Sequence, residues 1–478
     1  MKFSSNIFGL FTNYLQFQFI FGLICVLSKF IHMTKVLIKG GLIVNENQIF
    51  KSDIYIKDGR IELIGAGIQK YADEVIDASG KYIIPGIIDD QVHFREPGTE
   101  YKGNIFTESR AALYGGVTSF MDMPNNKPSI TTQESLQMKY DLARTKSAIN
   151  YSFYMGAAND NLDEILRTDD EKICGVKIFM GSSTGSLLVD DTKALENIFS
   201  QSPSLIATHC EDEKSVKANE KKYYEKYGDN IAAEYHPVIR NDEVCYLSSS
   251  FAVDLAKKSD TRLHVLHLTS AMEMPLFDNK ISLLDKRITS EVCVHHLFFD
   301  DSFYPEKGNL IKCNPAIKTK KDNKALWEAL LDNRLDVIAT DHAPHTWDEK
   351  SRIYRNAPSG LPLVQHSLFV MLGFYKEGKI SLEKIVDKMC HSPAQAFKIK
   401  ERGYIREGYW GDIVIMDMDK KWKVSKENIM YKCNWSPFEG HEFAGGVEKV
   451  LVNGELALSN GELKKTNNAQ RLLFKKDR

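Results

Sequence analysis

Six residues in this chain have the types and settings that metal-assisted chemistry needs. Gln91 and His93 lie in GIIDDQVHFREPG (86–98), Lys177 in GVKIFMG, His209 in SLIATHCED, His267 in RLHVLHLTS and Asp341 in LDVIATDHAPH. Three imidazoles, a carboxylate and a lysine brought together make a borderline-to-hard divalent site, for which zinc, as one or two ions, is the expected metal. A strand ending in H-x-H would offer two imidazoles, but here its first place is Gln91. A glutamine amide oxygen is neutral and a poorer donor, so any ion shared with His93 should bind more weakly. Taken singly, each histidine reads as a hydrogen-bonded structural residue, as His264, His295 and His296 also do. The set is what points to a site. Lys177 has two readings: a buried ammonium paired with a carboxylate such as Asp341, or a desolvated neutral amine that takes up carbon dioxide and becomes a bridging carbamate.

Positioning such scattered residues requires a particular fold. Eight short apolar runs recur (YIIPGIIDDQVHF, GVTSFMDMP, INYSFYMGA, GVKIFMG, SLIATHCED, RLHVLHLTS, ITSEVCVHH and LDVIATDHAPH), each followed by a polar cluster and then a helical pattern. Continuous apolar strands alternating with helices imply a parallel sheet covered on both faces, and eight units predict a closed (β/α)8, TIM-like α/β barrel. An open doubly wound sheet is the alternative, but no G-x-G-x-x-G turn follows the first run. In a barrel the carboxyl ends of all strands converge on one face, so the candidates above, with Asn125 after the second run, become neighbours. Alternating strands from residue 35 to 64, with a turn at Asp58-Gly59, match the character of GDIVIMDMD (411–419) and VEKVLVNGELAL (447–458), which turns at Asn453-Gly454. The expected organisation is an apolar extension (1–32), a small β-sandwich domain from 33–86 plus 400–460, a barrel over 87–399 and a polar tail over 461–478.

The bulk numbers exclude several functions. With 478 residues, 26% charged, 43% apolar and a formal net charge of -2, the chain is neither disordered nor built to bind a polyanion such as nucleic acid. Its 8 cysteines are scattered with no C-x-x-C pair, which suits free thiols in a reducing, cytoplasmic setting. Residues 1–32 are apolar for about one membrane span but are interrupted by Asn13, Gln16, Gln18 and Lys29. Because Met33 is followed at once by the strand KVLIKGGLIV, a natural start there is favoured over a membrane anchor or a secretory signal. A homo-oligomer is left open.

The runs DDQVHFREPG, DMPNN, GVKIFMGSSTG, THCED, HLTS, EVCVHHLFF, KCNPAIK, ATDHAPHT and NWSPFEG closely resemble dihydroorotases of the amidohydrolase superfamily, in family order from about residue 35 to 458. The resemblance implies that His93, Lys177, His209, His267 and Asp341 hold metal, with Lys177 carboxylated as the bridge and Asp341 also moving the proton. It implies that Arg95, Asn125 and His345 bind the substrate carboxylate, and that Asn314 with the Pro358 to Gly360 backbone binds the ring amide. Glu291 matches a family glutamate near the metals, or is a structural hydrogen-bond acceptor. Hydantoinases and dihydropyrimidinases act on rings lacking the carboxylate and need no fixed guanidinium, while allantoinases resemble N-E-P-G at the place of R-E-P-G. A scaffold protein of the same lineage that has lost catalysis is the contrasting expectation; it would be expected to lose several of these groups together.

Overall fold

The computed structural model describes residues 35–181 and 187–476. The apolar extension and its proposed boundary at Met33 lie outside them. No helix among the described residues is long and apolar enough to cross a membrane.

The first domain is one twisted sheet built from both ends of the described chain. Its strands β1 (Lys35–Asn45), β2 (Gln48–Lys57), β3 (Arg60–Gly65), β4 (Glu74–Asp77) and β5 (Tyr82–Pro85) come from one end. The β2–β3 hairpin turns through Asp58 (φ 54°) and Gly59 (φ 79°), the pair of positive dihedrals a two-residue type I′ turn demands.

The barrel follows directly. Strands β6 (Ile87–Val92), β7 (Val117–Asp122), β8 (Asn150–Gly156), β9 (Gly175–Phe179), β10 (Ile206–His209), β11 (Leu263–Val265), β12 (Ile288–Cys293) and β13 (Val337–Ala339) form an 8-stranded parallel sheet in sequence order. All eight predicted runs are strands, buried throughout except at Ile288, as a sheet covered on both faces requires. The ring closes where Val92 bridges His342 and His93 N–H donates to the His342 carbonyl at 2.7 Å. Helices such as Ile105–Tyr114, Gln133–Lys146, Thr192–Gln201 and Asp242–Ser259 cover the outside, several with side-chain caps or capping boxes at their first turn. Between β11 and β12 the described chain makes a 3-10 turn, Met274–Leu276, where the periodicity predicts an α-helix.

After the barrel, β14 (Ile413–Lys423), β15 (Glu442–Val452), β16 (Glu455–Ser459) and β17 (Glu462–Leu463) return to the first sheet, giving the order β17-β16-β15-β14-β5-β1-β2-β3. Pairing of β14 with β5 joins the two ends of the chain, and Asn453 (φ 47°) and Gly454 (φ 77°) make the turn read from the sequence. Within the stretch beyond 460, Leu472 and Phe474 are buried and the backbone bonds Tyr151 on β8, so this segment packs on the barrel despite its polar composition.

Candidate functional site

Gln91, His93, Arg95, Asn125, Lys177, His209, His267, Asn314, Asp341 and Gly360 line one cavity of about 100 Å³ with Phe179, Ala343 and Ser359. They stand at the carboxyl ends of their strands or on the loops just beyond, as barrel geometry requires. Arg95 (φ 67°), His267 (φ 40°) and Asp341 (φ 48°) all sit in the left-handed region, which costs non-glycine residues about 1–3 kcal/mol each and persists only where surroundings enforce it. The enforcers are visible. His267 N–H donates to Glu291 Oε1 at 3.0 Å. Thr340, just before Asp341, donates its backbone N–H and its hydroxyl to the Asp89 carboxylate at 3.3 and 2.6 Å.

Each imidazole is held in a defined state. His93 Nδ1 lies 2.7 Å from Asn125 Oδ1, so that nitrogen carries the proton and donates. Its Nε2 faces Asp341 Oδ1 at 3.0 Å, within hydrogen-bond distance. Gln91 Nε2 donates to the same Oδ1 at 3.2 Å. His209 Nε2 donates to Glu211 Oε2 at 2.9 Å, which leaves Nδ1 bare and directed at His267 Nε2, 2.9 Å away. His267 Nδ1 is buried with no hydrogen-bond partner. Burial lowers the pKa of both rings, that of His267 strongly, so they are neutral donors.

Lys177 is 1% exposed, and no carboxylate among the described residues pairs with it; its Nζ lies 4.6 Å from the Phe179 ring centroid. Of its two sequence readings, the ion pair with Asp341 is not formed here, since the contacts of Asp341 go to His93 and Gln91. Burial lowers the lysine to about 7, so a large share of the amine is neutral near physiological pH.

The remaining assignments resolve unevenly. Arg95 Nε donates to the Pro344 carbonyl at 3.0 Å and Nη2 lies 3.1 Å from His345 Nε2. His345 stands behind Arg95, outside the cavity wall, its other nitrogen 2.9 Å from Lys102 Nζ. Asn125 orients His93 as well as facing the cavity. Asn314 Oδ1 is buried and without a partner. Pro358 does not reach the cavity: its carbonyl, like that of Gly360, accepts from Lys350 Nζ, and Gly360 N–H donates to Lys312 O at 2.9 Å. A side chain at Gly360 (φ 135°) would meet the Ala343 carbonyl at 2.6 Å, so the wall closes only with glycine there. Glu291 takes the structural-acceptor role through Oε1, while its Oε2 has no hydrogen bond.

Two groups escaped the sequence reading. Glu211 fixes the His209 tautomer, and Arg240 Nη1 donates to it at 2.6 Å; the spacing of two from His209, just past the end of β10, was the available signal. Lys102 sits between His345 and Glu349, 3.0 Å from Glu349 Oε1, and no local pattern marks it.

A closed parallel barrel with imidazoles, a lysine and a carboxylate gathered at the carboxyl ends of its strands is the architecture of a barrel hydrolase. The chain belongs to the amidohydrolase family, whose model matches residues 82–457. It is 30% identical over 436 residues to a dihydroorotase of Pyrococcus horikoshii, covering 90% of this chain and 94% of that protein. It is 32% identical over 445 residues to a dihydroorotase of Methanosarcina mazei, covering 90% and 94%. Among solved structures it resembles the L-hydantoinase (dihydropyrimidinase) from Arthrobacter aurescens, with a TM-score of 0.88, 25% identity and coverage of 93% of this chain and 100% of that one. A dihydropyrimidinase from Brevibacillus agri gives a TM-score of 0.83 at 25% identity, covering 91% and 98%.

Proposed function

We propose that this chain is a dihydroorotase, which interconverts N-carbamoyl-L-aspartate and (S)-dihydroorotate in pyrimidine biosynthesis and works in the cytoplasm. The observation that carries the reading is the presence of the Arg95 guanidinium in the same small cavity as Lys177, His209, His267 and Asp341. A ring bearing a carboxylate needs a fixed cation in its pocket, and guanidinium matches a carboxylate with two parallel N–H bonds.

The donor set fits a divalent metal: His267 Nδ1 is buried without a partner, and the close pairs His209 Nδ1 with His267 Nε2 and His93 Nε2 with Asp341 Oδ1 gather nitrogen and oxygen donors of the kind such an ion takes. His93, Lys177 as its carbamate, His209, His267 and Asp341 would hold one or two zinc ions, with Gln91 a weak neutral ligand at most. When bound, zinc supplies Lewis acidity that makes water nucleophilic near neutral pH and polarises the ring carbonyl. Carboxylation of Lys177 joins the neutral amine to carbon dioxide, forming the N–C bond and releasing one proton, so bicarbonate is a requirement of assembly.

The chain's own residues do the rest. Arg95, with Asn125 beside it, anchors the substrate carboxylate and so fixes which carbonyl faces the nucleophile. Asn314 Oδ1, lacking any partner, accepts from the ring N–H. Asp341 takes the proton from the attacking water and delivers it to the departing ring nitrogen; in cyclisation it runs the same transfer backwards. Both contacts on Asp341 fall on Oδ1, which leaves Oδ2 for that proton.

A hydantoinase is the second reading, favoured by the likeness of the fold to the hydantoinase structures. The deciding experiment is turnover by the whole chain, supplied with zinc and bicarbonate, on carbamoyl-aspartate, dihydroorotate, hydantoin and dihydrouracil. Turnover confined to the carboxylated pair is expected. Preference for the rings without a carboxylate would hand the activity to the hydantoinases, and none on any substrate with metal bound would favour a scaffold.

A further inference from the structure

Below the cavity floor lies a second polar cluster that the proposed reaction does not use. Asp90 on β6, His264 on β11 and Glu291 on β12 meet across the barrel interior, each 0% exposed. One ligand atom from each lies within 4.8 Å of the other two. His264 Nε2 is 3.2 Å from Asp90 Oδ2 and 3.4 Å from Glu291 Oε2. None of these contacts has hydrogen-bond geometry: both Asp90 oxygens, His264 Nε2 and Glu291 Oε2 are all buried without a partner. Four such atoms are expensive in an apolar interior, where an unsatisfied polar group costs free energy and a charged one more.

The protonation pattern sharpens the problem. Thr289 Oγ1 lies 2.8 Å from His264 Nδ1 and 3.3 Å from the Leu263 carbonyl. With the hydroxyl hydrogen given to that carbonyl, Oγ1 accepts from His264 Nδ1–H, and Nε2 is the nitrogen turned to the two carboxylates; burial works against charge on the ring, but Asp90 and Glu291 outweigh it and lift its pKa to about 9. The ring proton therefore faces two carboxylates without a well-formed hydrogen bond to either. No lysine or arginine among the described residues forms an ion pair with Asp90 or Glu291. The Phe397 ring lies 5.0 Å from the His264 ring.

We infer that Asp90, His264 and Glu291 form a buried divalent-cation site beneath the catalytic cavity, separate from the residues proposed to hold the catalytic metal. A divalent ion entering here would displace the ring proton to solvent and take two carboxylates and one imidazole, an N, O, O donor set that suits zinc or manganese. The site is coupled to the catalytic one: Asp90 adjoins Gln91, and Glu291 Oε1 holds the His267 N–H. A cation there would pin the strained His267 backbone and support the strand on which the imidazole of the H-x-H pattern is missing.

The test is anomalous diffraction from crystals of the whole chain grown with zinc and, separately, with manganese, collected on both sides of each absorption edge. The expected result is a peak between the three side chains, in addition to any peak beside Lys177. Metal analysis of Asp90→Asn and His264→Gln should show one ion fewer per chain, with the peak beside Lys177 retained. An ion beside Lys177 and none among Asp90, His264 and Glu291 at either edge would overturn the inference, as would an unchanged ion count in both variants. Should neither variant fold, the wild-type maps decide alone. Failure of the proposed activity would be read separately, as absent turnover or an empty Lys177 site.

Discussion

Replacing Arg95 with methionine tests the substrate assignment most directly. Of the five guanidinium N–H groups, Nε–H is committed to the Pro344 carbonyl and one on Nη2 is turned toward His345. Three remain, enough for an end-on pair from Nη1 and Nη2 to one carboxylate. Truncating one partner of a buried, hydrogen-bonded charge pair costs about 2–5 kcal/mol. Arg95 is half-buried, so the lower part of that range applies, about 3 kcal/mol, or about 10²-fold in kcat/KM at 1.4 kcal/mol per decade. Because the guanidinium holds a part of the substrate remote from the reacting bond, the loss should fall mainly on KM. Steady-state kinetics on dihydroorotate should show it, while any residual turnover of hydantoin should be unchanged, so the selectivity ratio falls by the same factor. Methionine keeps most of the buried stem, and loss of the Pro344 bond should cost about 1 kcal/mol of stability, which a thermal melt would show as a minor shift. Equal losses on both rings, or no loss on dihydroorotate, would refute the carboxylate assignment.

Asp341→Asn keeps an oxygen for His93 and Gln91 but cannot take a proton; kcat should fall by about 10²–10⁴ with ligand affinity by calorimetry nearly unchanged, and an active variant would remove Asp341 from proton transfer. Carboxylation of Lys177 requires the neutral amine. With the amine lowered to about 7, the neutral fraction rises as pH rises from 6 to 8, so a ¹³C carbamate resonance from labelled bicarbonate should grow over that interval and be absent in Lys177→Arg. A pH-independent signal, or one that survives the substitution, would place the carbamate elsewhere. Gln91→His would restore the second imidazole beside Asp341, and metal retained after dialysis against chelator should rise; an unchanged amount would mean that residue 91 contributes nothing to the cation.

The barrel was legible because its strands are buried on both faces and so appear as eight unbroken apolar runs, a pattern few other arrangements produce. Residues at the ends of those runs were legible for the same reason: His93, Lys177, His209, His267 and Asp341 all border one cavity. What the sequence hid depends on contacts between distant segments. Glu211 gains its role only because Arg240, 29 residues on, balances its charge. Lys102 reaches His345 across 243 residues. Asp90, His264 and Glu291 sit inside apolar strands where each alone reads as an isolated polar residue, and only curvature of the sheet into a ring turns them toward one another. The left-handed backbone of Arg95 leaves no mark in residue type, and histidine and aspartate, though enriched in that region, adopt it too seldom for His267 and Asp341 to be singled out.

Gln91 shows how a local departure acquires meaning only in three dimensions. As a sequence feature it is a lost imidazole, a subtraction from a ligand set. In the structure it is also an addition, because its amide donates where a ligating histidine would present a lone pair, and the bond goes to Asp341 Oδ1. That oxygen already faces His93, so both contacts of the carboxylate fall on one edge and its other oxygen is left for the proton transfer proposed above. Under that proposal the exchange weakens one cation while fixing the group assigned to move the proton. It follows that Gln91→His should raise metal retention and lower kcat together, as Asp341 gives up its clamp to the restored ion. A variant that gained in both would show that the glutamine contributes nothing to the orientation of Asp341.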